Sequence, residues 1–118
     1  MNKISTTFFC GIICAVMLAM GASGQASDTI DTRKIKAFEI KGDREFGEYL
    51  ASECTACHKA SSGGSNIPVI AGRPVKDFII ALYSYKLKTR RSQVMEMVAD
   101  RLSDEEIAAL AAYFSSLK

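Results

Sequence analysis

Cys54-Thr55-Ala56-Cys57-His58 sets two thiols three positions apart and follows the second directly with the chain's single histidine. Three chemistries use such a cluster. A redox dithiol needs Cys-x-x-Cys with a lowered thiol pKa. A structural zinc site takes four protein ligands, and only three candidates stand here. Covalent haem attachment needs two thiols for the vinyl groups on one porphyrin edge and an imidazole for the iron, the sense in which Cys-x-x-Cys-His is read. A turn of helix brings Cys54 and Cys57 to one side, with His58 next along the same wall.

An iron that carries one imidazole has either an open site or a second axial ligand. Methionine suits electron transfer there because it raises the reduction potential. Beyond the N-terminal segment the chain offers only Met95 and Met97. Two positions apart on a short helical or irregular stretch, they face different directions, so at most one meets the iron. The residues alone leave the choice between them open.

The elements that must position these groups follow from the rest of the chain. At 118 residues there is room for one domain. Residues 1–26 read as a secretory signal: Lys3 in a polar start, an apolar run from Phe8 to Met20, then small residues up to Ala26. Left uncleaved, the segment would be an anchor, although the run falls short of the roughly 20 residues of a membrane span. Cys10 and Cys14 lie inside it as small hydrophobes. Export places the protein in an oxidising compartment, where the two remaining cysteines must be bridged, reactive or capped. A net charge of +2 is too weak to mark a nucleic-acid binder, and no internal repeat points to a solenoid.

Residues 27–42 are polar and mixed in charge and read as an N-terminal extension; residues 43–118 read as the domain that holds the cofactor. Asp43 is placed to cap a first helix, with Phe46, Tyr49 and Leu50 at helical spacing up to the cysteines. "KASSGGSNIPVIAG" is a loop by composition. Pro74 suits the first turn of a second helix, whose stripe is Val75, Phe78, Ile79 and Leu82. "KLKTRR" ends it. After the methionines, Ser103 and Glu106 form a capping box for a last helix with Ile107, Leu110, Ala111, Phe114 and Leu117 on its buried side. Nothing after Gly42 reads as a strand. The expected class is all-α, about four helices around one covalently bound haem.

"LASECTACHKA", "IPVIAGRPVKDFIIAL" and "RRSQVMEMVADRLSDEEIAALAAYF" resemble the class I cytochromes c, especially the short bacterial domains of flavocytochrome c sulfide dehydrogenase and of two-haem periplasmic cytochromes. By that resemblance Met95 matches the second axial ligand, with Met97 the alternative, and the carbonyl of Pro68 accepts a hydrogen bond from His58. It also implies a close crossing of the first and last helices at Gly47, Leu50, Leu110 and Phe114. The implied function is a periplasmic single-haem electron carrier without catalytic residues, either a shuttle or the haem subunit of a sulfur-compound dehydrogenase. The implied partners are redox proteins, flavin or molybdenum dehydrogenase subunits among them, with no nucleic acid, and a membrane only if the signal is retained. Lys86, Lys88, Arg90 and Arg91 are expected to ring the haem edge and steer an acidic partner. Two alternatives stand beside this: a five-coordinate haem that binds small ligands, and a thiol-disulfide protein. The sequence departs from many relatives at Lys59, where they have glycine, and in its longer extension.

Overall fold

The computed structural model describes residues 30–59 and 66–118. The expected signal segment lies outside these residues. Among the described residues there are four α-helices and no strand, and no helix is long and apolar enough to cross a membrane. The chain runs through two short 3₁₀ turns, Thr32–Lys34 and Lys36–Phe38, and then through α1 (Arg44–Thr55), α2 (Val75–Lys86), α3 (Gln93–Arg101) and α4 (Asp104–Ser116).

Three of the four α-helices begin on a residue whose side chain accepts from a free N–H group, and α2 begins on a proline without such a cap. Asp43 Oδ1 accepts from the N–H of Glu45 at 2.9 Å and of Phe46 at 3.0 Å, starting α1. At α4 the capping box is complete: Ser103 Oγ accepts from Glu106 N at 3.2 Å while Glu106 Oε2 accepts from Ser103 N at 2.8 Å. Pro74 stands one position earlier than expected, as the N-cap of α2, with its carbonyl accepting from Phe78 N. Ser92 caps α3 through Met95 N.

The core centres on α4, which packs against α1, α2 and the second 3₁₀ turn. Ile107, Leu110, Ala111 and Phe114 are buried, as the periodicity predicts, and so are Ala108 and Ala109. Phe114 stacks on Phe78 of α2 with ring centres 5.4 Å apart. The N-terminal arm contributes as well, since Ile35 and Ala37 are buried in the same cluster.

The first helix corrects the sequence reading. Phe46 and Tyr49 are exposed and Leu50 is only half-buried; the packed face of α1 is made of Gly47 and Ala51. Small residues let two helix backbones touch. A Cβ on Gly47 would lie 2.6 Å from the carbonyl carbon of Ala109 and 2.9 Å from Tyr113 Cβ, and one on Gly42 would meet Ala108 and Ala112 a turn away. No larger side chain fits between the helices, so Phe46 and Tyr49 are pushed to the flanks. Val75 is likewise exposed, because the first turn of α2 extends past the core that Phe78, Ile79 and Leu82 enter.

Candidate functional site

The last turn of α1 delivers the cysteine pair. His58 N donates to Cys54 O at 2.8 Å and Cys57 N to the same carbonyl at 3.2 Å, which folds "CTACH" back on the helix end. Cys54 is half-buried and Cys57 exposed, and both are free thiols. A helix C-terminus carries the negative end of the helix dipole and disfavours a thiolate. Burial pushes the Cys54 thiol up, and the neighbouring Glu53 charge pushes it further. A redox dithiol needs the opposite, a lowered pKa. Among the described residues no three His, Cys, Asp or Glu side chains are grouped so as to hold a metal ion, which is what a zinc knuckle would require.

His58 Nδ1 lies 2.7 Å from the carbonyl oxygen of Pro68. A carbonyl only accepts, so Nδ1 carries the proton and Nε2 keeps a free lone pair. The loop that presents Pro68 is pinned to the end of α4. Gly72 N donates to Phe114 O at 2.8 Å, and Gly72 takes φ +73°, a left-handed conformation that glycine adopts without penalty.

These groups share one cleft. Cys54, Cys57, His58, Pro68 and Met95 all border a space of about 1080 Å³, at the top of the roughly 300–1000 Å³ typical of cofactor pockets. Its inner end narrows to an apolar cavity whose wall includes Phe78, Leu82, Val98, Leu102 and Leu110. Met95 is half-buried and borders both spaces; Met97 is 61 % exposed and borders neither. The donor set suits a haem: two thiols at one end, one imidazole with a fixed tautomer, one thioether and an apolar wall.

The cationic run departs from expectation in part. Lys86 does not ring the cleft; its Nζ donates to the carbonyls of Ala99 at 3.3 Å, Asp100 at 3.4 Å and Leu102 at 2.5 Å. Arg90 and Arg91 both border the cleft as expected; Arg91 pairs with Glu96 at 3.4 Å, and the Arg90 guanidinium sits 5.0 Å over the Tyr85 ring. Lys88 takes φ +59° at the end of α2, where its N–H donates to Tyr85 O. Of the run, Arg90 and Arg91 border the cleft while Lys86 closes the end of α3, because carbonyls left free at helix C-termini attract cations.

Several contributors escape the sequence reading. Arg73 borders the inner cavity and donates from Nε to Val69 O at 3.4 Å; nothing in its spacing marks it. Ser92 and Glu96 were legible in principle, as a small polar residue ahead of a short apolar stretch with an acid in the first turn. Glu96 Oε1 accepts from Ser92 N at 3.1 Å, so α3 is held at its start by a reciprocal pair.

The family model described as cytochrome c matches residues 45–118. Cytochrome c4 of Pseudomonas aeruginosa is 28% identical over 109 residues, covering 91% of this chain and 48% of that protein. Cytochrome c4 of Azotobacter vinelandii is 33% identical over 88 residues, covering 65% of this chain and 42% of that protein. The cytochrome subunit of sulfide dehydrogenase of Chlorobaculum tepidum is 36% identical over 72 residues, covering 60% of this chain and 66% of that subunit. The chain spans about half the length of the cytochrome c4 relatives it matches.

Proposed function

The chain belongs to the cytochrome c family, whose cofactor is a covalently bound haem c, and on that premise we propose that it carries one electron at a time between redox proteins. Cys54 and Cys57 hold the two vinyl groups as thioethers. His58 binds the iron through Nε2, and Pro68 O keeps the Nδ1 proton where it leaves Nε2 free. Met95 would supply the iron's second protein ligand, supported by its position on the cleft wall against the exposure of Met97. When bound, the haem supplies an iron that alternates between ferric and ferrous states. The work of this chain is to fix the axial groups, exclude water with Phe78, Leu82 and Leu110, and leave one edge open to contact.

The observation that carries this reading is the His58 Nδ1 to Pro68 O bond beside a cleft shared by Cys54, Cys57 and Met95. Optical spectra of the holoprotein test it. Sharp low-spin reduced bands and a weak red sulfur-to-iron band in the oxidised form are expected. Met95→Ala abolishes the red band and Met97→Ala keeps it; the reverse pattern transfers the ligand role to Met97. A high-spin wild-type spectrum moves the reading to a small-ligand binder.

The reading extends to export into the periplasm, with residues 1–26 as the signal, 27–42 as an extension and 43–118 as the haem domain. No general acid, base or nucleophile is needed, so chemistry on a substrate belongs to a partner. Of the two modes, shuttle or subunit, the rim favours the subunit. Tyr49, Ile67 and Val94 border the cleft and are exposed, and exposed apolar side chains grouped at a mouth mark a contact surface. The likeness to a sulfide dehydrogenase cytochrome subunit points to a sulfur-compound dehydrogenase carrying flavin or molybdenum. Co-purification with a larger redox chain supports that mode, and a monomer that exchanges electrons freely with unrelated partners refutes it.

A further inference from the structure

We propose that Lys86 positions Met95: its ammonium group closes the C-terminus of α3 and holds the methionine-bearing helix against the end of α2. The proposal rests on the reading of Met95 as an axial ligand.

Helix α3 is weakly supported by its own chemistry. It has nine residues, fewer than the roughly 12–15 at which an isolated helix becomes even marginal in water. Only Ala99 is fully buried and Met95 is half-buried against the core, so apolar contact alone holds the helix weakly. Its N-terminal turn is held by Ser92 and Glu96. At the other end the last carbonyls lack intrahelical partners and carry the negative end of the dipole. Lys86 meets that end. An ammonium has three N–H donors, and Nζ lies within hydrogen-bond distance of three carbonyls, those of Ala99, Asp100 and Leu102. Lys86 is the final residue of α2 and is half-buried, so the bond joins two helices.

Transmission to the ligand is short. Met95 and Ala99 are four residues apart and share a face of α3. Val98 and Leu102 border the inner cavity beside Met95. Without the ammonium, the carbonyls of Asp100 and Leu102 lose that donor and the carbonyl of Ala99 keeps only the N–H of Leu102, which lets the last turn fray and the helix roll and carries Met95 off the wall. Lys86 therefore sets how often Met95 leaves its place, without touching the cofactor.

Imidazole competition on ferric holoprotein reads that frequency, since imidazole enters only where Met95 has moved away, and its apparent affinity scales with the population of that state. Loss of the red sulfur-to-iron band is followed against imidazole concentration. Lys86→Met keeps the length of the side chain and removes the charged donors; charge-assisted bonds are strong enough that an increase in apparent affinity of about tenfold is expected. Lys86→Arg keeps a charged donor and returns the affinity to within about threefold of wild type. Asp43→Ala loses the α1 cap, lowers global stability, and leaves imidazole affinity at the wild-type value. If Lys86→Met does not accumulate as holoprotein, Lys86→Gln carries the same prediction at about threefold by the same argument.

An affinity for Lys86→Met equal to wild type, or an equal rise in Asp43→Ala, overturns the proposal and leaves the Met95 reading standing. A wild-type protein without the red band overturns the Met95 reading, and the proposal with it, before any variant is made.

Discussion

Replacing Gly47 by alanine tests how α1, whose far end carries the cysteine pair, is held against α4. In a helix exposed to solvent the change stabilises by about 1 kcal/mol, because alanine loses less conformational freedom. Here the new Cβ would run into the carbonyl oxygen of Ala109 and sit 2.6 Å from its carbonyl carbon and 2.9 Å from Tyr113 Cβ, so α1 and α4 must part by well over 0.8 Å, the shortfall of the carbon alone from the 3.4 Å of ordinary contact. The obstacle is backbone on a fully packed helix and cannot turn aside as a side chain would. Overpacking of this kind costs about 1–3 kcal/mol and occasionally more; a rigid backbone puts the site at or above the upper end. Set against the propensity gain, the net loss is about 2 kcal/mol, a fall in melting temperature on the order of 10 °C for a domain of this size. Thermal and urea unfolding of the holoprotein, followed by far-ultraviolet circular dichroism, measures it. A Gly47→Ala protein as stable as wild type, or more so, would refute the claim that the two backbones touch.

Three further outcomes follow from the structure. Tyr83 donates to Asp104, and its phenol is pushed up to about 12 by burial first and by that carboxylate second, so it contributes stability that is fully present below about pH 10 and lost as pH rises toward 12; Tyr83→Phe flattens that part of the stability profile in urea titrations. Lys88→Gly relieves a left-handed residue and raises stability by about 1 kcal/mol, read as a higher urea midpoint with an unchanged slope. Ser103→Ala removes the α4 cap and lowers stability by about 1 kcal/mol; an unchanged midpoint would mean the capping box contributes nothing.

The all-α class, the caps at Asp43 and Ser103 and the stripe along α4 were legible because each depends on neighbours within one or two helical turns. Cys54, Cys57 and His58 stood out because their types are scarce in the chain and adjacent. The rotation of α3 was not legible. Apolar residues at 94, 95, 97 and 98 cover an arc of about 160° with Met95 and Met97 at its opposite edges, so their spacing does not say which of the two methionines turns inward; packing against the end of α2 does. The packed side of α1 was hidden for a related reason: a periodic reading weights Phe46 and Tyr49 above glycine and alanine, whereas close approach to α4 requires the small residues. The role of Lys86 depends on carbonyls 13 to 16 residues away and has no local signature.

The two sides of the cleft are held by different forces, and they answer differently to the surrounding solution. On the His58 side, the buried Gly47 and Ala51 form the packed face of α1, a close-packed seam that weakens on cooling and strengthens with excluded salts such as sulfate. On the Met95 side the fastenings are Lys86 on carbonyls and the Arg91–Glu96 pair, whose arginine is 77 % exposed and open to screening by any salt. Ionic strength and temperature thus act as separate controls on the two walls: sodium chloride loosens the methionine wall first, and cold loosens the histidine wall first.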